Sequence, residues 1–545
     1  MASPQPFAKV LRAFPLEGAF RLMNFSFGTG HASAAKADVL VLPLFDTDLT
    51  EKKNPPSAWV KSDKKMRGLL AKLALQEGFK GKADQSCVIQ THGKLGVARV
   101  ILLGLGTRAK FNAEVLRMAI GRGIKAANKL KLKTAVIQVP GVRELDASLQ
   151  AVVEGAILGA YRYDKWRTTN KDEKASARVE KVQLLLPDGV KKDKSMDGTA
   201  SLARTIAEAA NFARDLVNEP AGTMTPTILA EQAKAMAKEA GLGLHVFDRK
   251  KIAELNMGLF LGVARGSVEE PKLIHLSYTP DDPVAAKRAP IAFVGKAITF
   301  DSGGLSLKPS DGMLDMKTDM AGSASVLGAM RVIAKLKPPF PVHGFMGACE
   351  NMPSGNAYRL GDVLVSRLGK TVEITNTDAE GRLVLGDVLT YANELKPAAI
   401  IDLATLTGAC IVALGPWVAG AFGDDDQLMW NVLESARSAG EDIWRLPMTD
   451  SLKDVLKSDV ADMKNAGDRM GGSITAAHFL REFVGETPWV HLDIAGPSNV
   501  NKEKGYMAKG ATGFAVRTLV EFIRRRTAEL NAAAADEAID TSDAE

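Results

Sequence analysis

Residues 373–386 read E-I-T-N-T-D-A-E-G-R-L-V-L-G. Val372, Glu373 and Ile374 make a short β-type run that feeds a polar turn. The turn carries Asp378 and Glu380, two residues apart, and then Arg382. Leu383, Leu385, Val388 and Leu389 follow at helical spacing. Strand, acidic turn, helix is how an open α/β sheet presents ligands at the carboxyl end of a strand. Two carboxylates so placed can reach one metal cluster, because hard oxygen donors suit divalent ions. The same residues also suit a plain helix start, with Asp378 as cap and Glu380 in the first turn.

A second stretch shifts that balance. Residues 291–319 read I-A-F-V-G-K-A-I-T-F-D-S-G-G-L-S-L-K-P-S-D-G-M-L-D-M-K-T-D. Lys296 interrupts a strongly apolar strand, where a buried ammonium needs a partner or must be neutral. A divalent metal can hold a neutral amine through its lone pair. Asp301 stands at the strand's end, and Ser302-Gly303-Gly304 permits a sharp turn. Lys308 lies beyond the turn, and Asp319 precedes a helix starting at Met320. The combined set is Lys296, Asp301, Asp319, Asp378 and Glu380 as ligands, with Lys308 and Arg382 as cations. Without metal the carboxylates would repel one another and raise at least one pKa. Two divalent ions would neutralise them and lower the pKa of a bridging water, giving a nucleophile at neutral pH. Taken singly, Asp319 equally suits a helix cap. Asp311 and Asp315 read as solvated, and Lys317 as a surface charge.

The chain has 545 residues, enough for two domains. Its 46% hydrophobic and 25% charged residues are ordinary for a globular protein. A net charge of +6 spread over this length is weak support for a polyanion partner. Cys87, Cys349 and Cys410 lie far apart, which argues against a disulfide framework and a cysteine zinc site and for a reducing compartment. The first residues lack a basic stretch followed by an apolar run, so no signal peptide is expected. No apolar run is long enough for a membrane helix. A cytoplasmic location is the expectation.

Strand-like runs at Asp38–Phe45, Ser86–His92, Ala98–Leu103, Thr134–Pro140 and Val179–Pro187 alternate with helical patterns at Arg67–Glu77, Asn112–Leu130 and Leu145–Arg162. Lys52–Lys65 reads as a loop. The pattern predicts an α/β protein of two domains. The smaller N-terminal α/β domain spans 1–200, with an oligomerisation or regulatory role. The larger catalytic α/β domain spans 201–526, with a mixed, largely parallel sheet flanked by helices. Its strands are expected at Leu244–Phe247, Lys272–Tyr278, Ile291–Ala297, Val342–Cys349, Ala398–Leu403 and Trp489–Ile494. A helix over Phe514–Arg526 closes it. The Ala/Asp/Glu-rich tail, 527–545, reads as disordered.

Other catalytic templates fail. The seven histidines are scattered without H-E-x-x-H, and His343 and His491 read as core residues of strands. There is no G-x-S-x-G elbow and no Walker A loop. Gly104-x-Gly106-x-x-Ala109 has no acidic partner for a ribose and reads as a tight structural turn.

N-T-D-A-E-G-R-L at 376–383, V-G-K-A-I-T-F-D-S-G-G at 294–304 and M-K-T-D-M at 316–320 resemble the motifs of the cytosol (leucyl) aminopeptidase family. The resemblance covers about Asn218 to Ala511. It implies a two-metal aminopeptidase that attacks the N-terminal peptide bond of peptides with a metal-bridged hydroxide. Asp301, Asp378 and Glu380 would hold the more exchangeable ion. Lys296, Asp301, Asp319 and Glu380 would hold the tighter one, with Asp301 and Glu380 bridging. The resemblance further implies zinc, manganese or magnesium as the ions. Arg382 would bind a bicarbonate acting as general base, cradled by backbone of Ala379, Gly381 and Leu406. Lys308 would stabilise the substrate's carbonyl oxygen. Thr405, Leu406 and Gly408 would touch substrate, and Met316 would line the pocket for an apolar first side chain such as leucine. A homohexamer working in peptide catabolism is also implied. Pro497-Ser498-Asn499 departs from relatives, which carry larger apolar residues there. Some bacterial relatives also bind DNA, which makes an additional architectural role the alternative, although no groove-reading motif supports it.

Overall fold

The computed structural model describes residues 23–28, 36–49, 56–168 and 178–542. The chain divides into two compact units, Met1–Glu208 with Lys502–Ala508, and Ala209–Asn501 with Lys509–Glu545. The division falls inside one helix, Lys194–Asn218.

The first unit has strands β1 (Asn24–Gly28), β2 (Ala37–Leu44), β3 (Ser86–Gln90), β4 (Val97–Gly104), β5 (Thr134–Gln138) and β6 (Lys181–Leu185). They pair in the order β1-β6-β5-β2-β4-β3, parallel throughout except β3 against β4. Central β2 is an almost unbroken apolar run because both its faces are covered. Leu40 and Leu42 join a core with Trp59 and Met66, while Val41 lies under the Ala113–Lys129 helix near Gly123. The turn after β4 needs its glycines for backbone reasons. A Cβ on Gly104 would stand 1.9 Å from the Lys82 carbonyl oxygen, and Gly106 has φ +73°.

Two expectations are corrected. Part of the segment read as a loop, Ser57–Lys65, is a helix following Pro56, and it buries Ala58, Trp59 and Ser62 on one side. The closing helix runs Val516–Ser542, so the segment expected to be disordered is helical as far as residue 542. Its alanine-rich sequence has the highest intrinsic helix propensity and extends a helix already anchored by buried Leu519 and Ile523.

The second unit carries β7 (Gly243–Phe247), β8 (Lys272–Tyr278), β9 (Ile291–Asp301), β10 (Val342–Asn351), β11 (Val363–Val365), β12 (Thr371–Glu373), β13 (Ala399–Ala404), β14 (Ala419–Phe422), β15 (Ile443–Arg445), β16 (Met463–Lys464) and β17 (Trp489–Asp493). Eight of them form one mixed sheet of order β15-β14-β17-β13-β9-β10-β8-β7. β17, β13, β9 and β10 run parallel at its centre, and β7, β8 and the β14–β17 pairing are antiparallel. β11, β12 and β16 form a separate small sheet.

The chain leaves β9 through the Ala321–Leu336 helix to β10, then returns through the Glu380–Asn393 helix to β13 on the other side of β9. That reversal opens a crevice at the carboxyl ends of β9 and β13, where α/β sheets bind ligands. The helices cover opposite faces. Gly344 of β10 faces Val326 and Met330 of the first helix, whereas Gly347 faces Val384 and Val388 of the second.

Candidate active site

β9 is apolar on both sides because helices pack on both. Gly295 lets the Ala321–Leu336 helix approach so closely that a Cβ there would stand 2.6 Å from the Ser323 Cα. Lys296 points to the other face and is buried, not a surface lysine. Its Nζ donates to Asp319 Oδ1 at 2.7 Å and to the Thr405 carbonyl at 3.1 Å. Glu380 Oε1 lies 2.9 Å away, although it has no partner with hydrogen-bond geometry. Burial opposes the ammonium charge. Asp319, Glu380 and Asp301 outweigh that effect and push the pKa of Lys296 above the usual lysine range.

Asp301 ends β9. Its Oδ1 accepts from the backbone N–H of Gly303 and from Asn351 Nδ2, both at 2.8 Å. Gly303 and Gly304 turn the chain back with φ of +84° and +64°, a region costly for other residues. The turn brings Lys308 Nζ to 2.9 Å from Asp301 Oδ2 and 2.5 Å from Asp378 Oδ1. Those carboxylates raise the pKa of Lys308 against the opposing effect of burial.

Neither carboxylate suspected of capping is a cap. The Glu380–Asn393 helix has Ala379 at its N-cap and the Ala321–Leu336 helix has Met320, with no side-chain cap bond in either case. Asp319 is buried beside Lys296, and Asp378, still exposed, reaches Lys308 instead. One oxygen from each of Asp301, Asp378 and Glu380 lies within 4.8 Å of the others. Asp319 adds a buried Oδ2 with no hydrogen-bond partner. Burial, then repulsion among the carboxylates, raises the pKa of Asp319, Asp378 and Glu380 even with both lysines present. The four carboxylates offer hard oxygen donors with more negative charge than the two lysines compensate, which suits divalent cations. The residues therefore fit the metals that the sequence motifs imply.

Arg382, on the first turn of the Glu380–Asn393 helix, is buried and donates from Nη1 to the Asn465 carbonyl at 2.9 Å. Its Nε has no partner, and burial lowers its pKa to about 10 against the opposing effect of Glu380 and Asp493. Gly381 faces the Lys296 side chain. Two backbone donors expected to cradle an anion already have acceptors. The N–H of Ala379 meets the Asn376 carbonyl at 3.3 Å, and that of Leu406 meets Asp493 Oδ1 at 3.2 Å. Thr405 Oγ1 donates to Asp319 Oδ1 at 2.8 Å, and Gly408 opens a short helix after β13. Met316 begins the half-buried turn before Asp319, while Asp311 and Asp315 are exposed. Lys317 is not a plain surface charge, since its Nζ donates to the Asn218 carbonyl at 2.7 Å.

Sequence reasoning passed over two buried residues here. Asp493 holds the loop after β13 by accepting from Leu406 N–H and, at 2.6 Å, from Thr407 Oγ1. Asn351 holds Asp301. Each is a polar residue ending an apolar strand, Asp493 on β17 and Asn351 on β10 beside β9.

The cytosol aminopeptidase family's catalytic-domain model matches residues 211–520, and its N-terminal-domain model matches residues 41–170. A probable cytosol aminopeptidase of Aquifex aeolicus is 46% identical over 457 residues, covering 83% of this chain and 90% of that protein. One from Gloeobacter violaceus is 42% identical over 500 residues, covering 90% and 97%. Among solved structures, a tomato leucine aminopeptidase mutant superposes with a TM-score of 0.83 at 34% identity, covering 92% of this chain and 96% of that one. The bottromycin maturation enzyme BotP in complex with Mn gives 0.78 at 35% identity, covering 90% and 100%. The chain thus belongs to the cytosol aminopeptidase family, as a metal-dependent, leucyl aminopeptidase-type hydrolase.

Proposed function

We propose that this enzyme removes N-terminal residues from peptides at a two-ion centre held by Lys296, Asp301, Asp319, Asp378 and Glu380. The observation that carries the reading is the convergence of Asp301, Asp378 and Glu380 oxygens within 4.8 Å. Asp301 and Glu380 would serve both ions, as the motif resemblance implies. Two divalent cations would supply Lewis-acid polarisation of the scissile carbonyl and a water of lowered pKa. Manganese, zinc and magnesium all accept this donor set; the BotP structure contains Mn.

The chain's own residues do the rest. Lys308 is anchored on Asp301 and Asp378, at the edge of the carboxylate cluster. Its ammonium meets the charge that develops on the carbonyl oxygen, where a preorganised cation contributes most. Arg382, with a buried Nε lacking an acceptor, suits a small anion such as bicarbonate, which would take up the attacking water's proton. A free α-amine adds a neutral nitrogen donor at the centre, and an internal peptide bond offers none; this accounts for exopeptidase action. Thr405, Leu406 and Gly408 would touch the substrate, and Met316 would line the pocket for an apolar first side chain such as leucine. A cytoplasmic location accords with the family's name, a homohexamer is what the motif resemblance implies, and no helix among the described residues is long and apolar enough to cross a membrane. DNA binding rests only on the net charge of +6. Its mark would be a steep loss of duplex affinity with added salt.

The test is hydrolysis of leucyl-p-nitroanilide after manganese incubation, with a chelator control and Lys308→Ala. Chelator-sensitive activity that falls about 10²–10³-fold in the variant is expected. No turnover of any aminoacyl substrate by folded, metal-loaded protein would overturn the reading. An N-acetylated peptide cleaved as fast as the free one would replace it with a general amidohydrolase.

A further inference from the structure

Asn351 ends β10 directly opposite Asp301 at the end of β9. It is fully buried. Its Nδ2 donates to Asp301 Oδ1 at 2.8 Å and to the Thr377 carbonyl at 2.9 Å. These two bonds join the strand end that carries Asp301 to the turn that carries Asp378 and Glu380. The amide's orientation is settled by its neighbours. Both partners are acceptors, so only an NH2 group satisfies them together. The opposite atom, Oδ1, has no partner and lies 2.9 Å from where a Gly304 Cβ would be.

The surroundings concentrate on the same linkage. The Asn351 carbonyl accepts from Ser302 N–H at 3.0 Å and from Ser302 Oγ at 2.7 Å, which fixes the first residue of the turn after Asp301. Tyr358 Oη donates to the Thr377 carbonyl at 2.8 Å. Thr377 Oγ1 donates to the Gly303 carbonyl and accepts from Ser306 N–H, both at 2.7 Å. Two ligand-bearing loops, distant in sequence, are thus stitched through Thr377 and the Asn351 carboxamide.

We propose that Asn351 is a positioning residue for the metal centre. By occupying Asp301 Oδ1 it orients that carboxylate so that Oδ2 faces the centre, and it sets the spacing between Asp301 and the Asp378–Glu380 turn. It contacts neither substrate nor reacting atoms. Outer partners of this kind typically alter metal affinity 10–100-fold when removed. The inference rests on the proposed two-ion reading of the site.

The test is calorimetric titration of metal-stripped full-length protein with Mn²⁺, for wild type, Asn351→Ala and Asn351→Asp. Asn351→Asp keeps the volume but sets an oxygen against two acceptors, so it separates lost donation from a cavity. Circular dichroism and thermal midpoint report folding, and leucyl-p-nitroanilide kinetics are run at low and saturating Mn²⁺. Both variants should fold and bind Mn²⁺ 10–100-fold more weakly. The kcat should fall more than KM changes, with partial recovery at saturating Mn²⁺. Folded variants with wild-type Mn²⁺ affinity, or a kcat loss that excess Mn²⁺ leaves unchanged, would overturn the positioning role while leaving the two-ion reading standing. Wild-type protein that takes up no Mn²⁺ would overturn both.

Discussion

A Cβ placed on Gly381 would stand 2.3 Å from Cε and 2.6 Å from Nζ of Lys296. Gly381 is the second residue of the helix that begins with Glu380. The buried lysine therefore lies across the start of that helix, and only a residue without a side chain lets it pass. This contact ties β9 to the acidic turn at the point where both deliver ligands.

Gly381→Ala should therefore displace Lys296 and not merely crowd it. Lys296 has no free space, since Asp319 and Thr405 already hold its Nζ. Overpacking of this kind costs about 1–3 kcal/mol in stability. A shift near 1 Å at a reacting centre costs on the order of 100-fold in rate. A thermal melt and kcat/KM on leucyl-p-nitroanilide check both figures. Wild-type activity in the variant would mean that the lysine can be moved without consequence.

Asp402 of β13 links two aromatic neighbours on β17. Its Oδ1 lies 2.6 Å from His491 Nδ1, and its Oδ2 accepts from Trp489 Nε1 at 2.6 Å. All three residues are fully buried, and Phe422 stacks on the imidazole at 5.8 Å. Asp402 and its hydrogen bond, with a contribution from Asp493, raise the His491 pKa against the opposing effect of burial. Asp402→Ala would strand two buried donors. Breaking such a charged network costs about 3–5 kcal/mol. Asp402→Asn, which keeps one acceptor oxygen, should lose less. Urea midpoints for the two variants should fall in that order, and equal losses would show that geometry rather than donor satisfaction sets the cost.

How far the site could be read from sequence depends on what each residue contradicts. Lys296 was legible because an ammonium in an apolar strand is a physical anomaly. Asp301 was legible because it ends an apolar strand, and Asp378 and Glu380 because they stand two residues apart in the polar turn that leads into a helix. Asn351 was not, since asparagine after a strand is also an ordinary turn residue. Lys317 was misread because a lysine beside aspartates looks solvated, and its buried acceptor, the Asn218 carbonyl, is distant in sequence. Among the strands, β9 and β10 declared themselves by long apolar runs covered on both faces. β14 and β15 did not, because strands of four and three residues are too short to establish a period. Their place in the sheet is fixed by pairing with β17 and with each other.

The last prediction concerns acid. His275 of β8 lies opposite His245 of β7 and Phe345 of β10. Its Nε2 is 2.9 Å from His343 Nδ1, so one ring must donate and the other accept. Both cannot be fully protonated and keep that bond. Burial lowers the His275 pKa to about 3, and His343 and His245 add to the effect; burial also lowers His343. An unfolded histidine takes its proton near pH 6.5. Between about 3 and 6.5 the unfolded chain therefore binds more protons than the folded one, and stability falls as pH falls. It is fully present above about 6.5 and declines by about 1.4 kcal/mol per pH unit for one such group. Wild-type protein should lose thermal stability between pH 7 and pH 4.5. In His275→Phe the slope should be shallower by close to one proton, even if the variant starts from a lower midpoint for want of the His343 bond. Parallel curves for the two proteins would assign the acid sensitivity to other groups, because a histidine that titrates alike in both states contributes no slope.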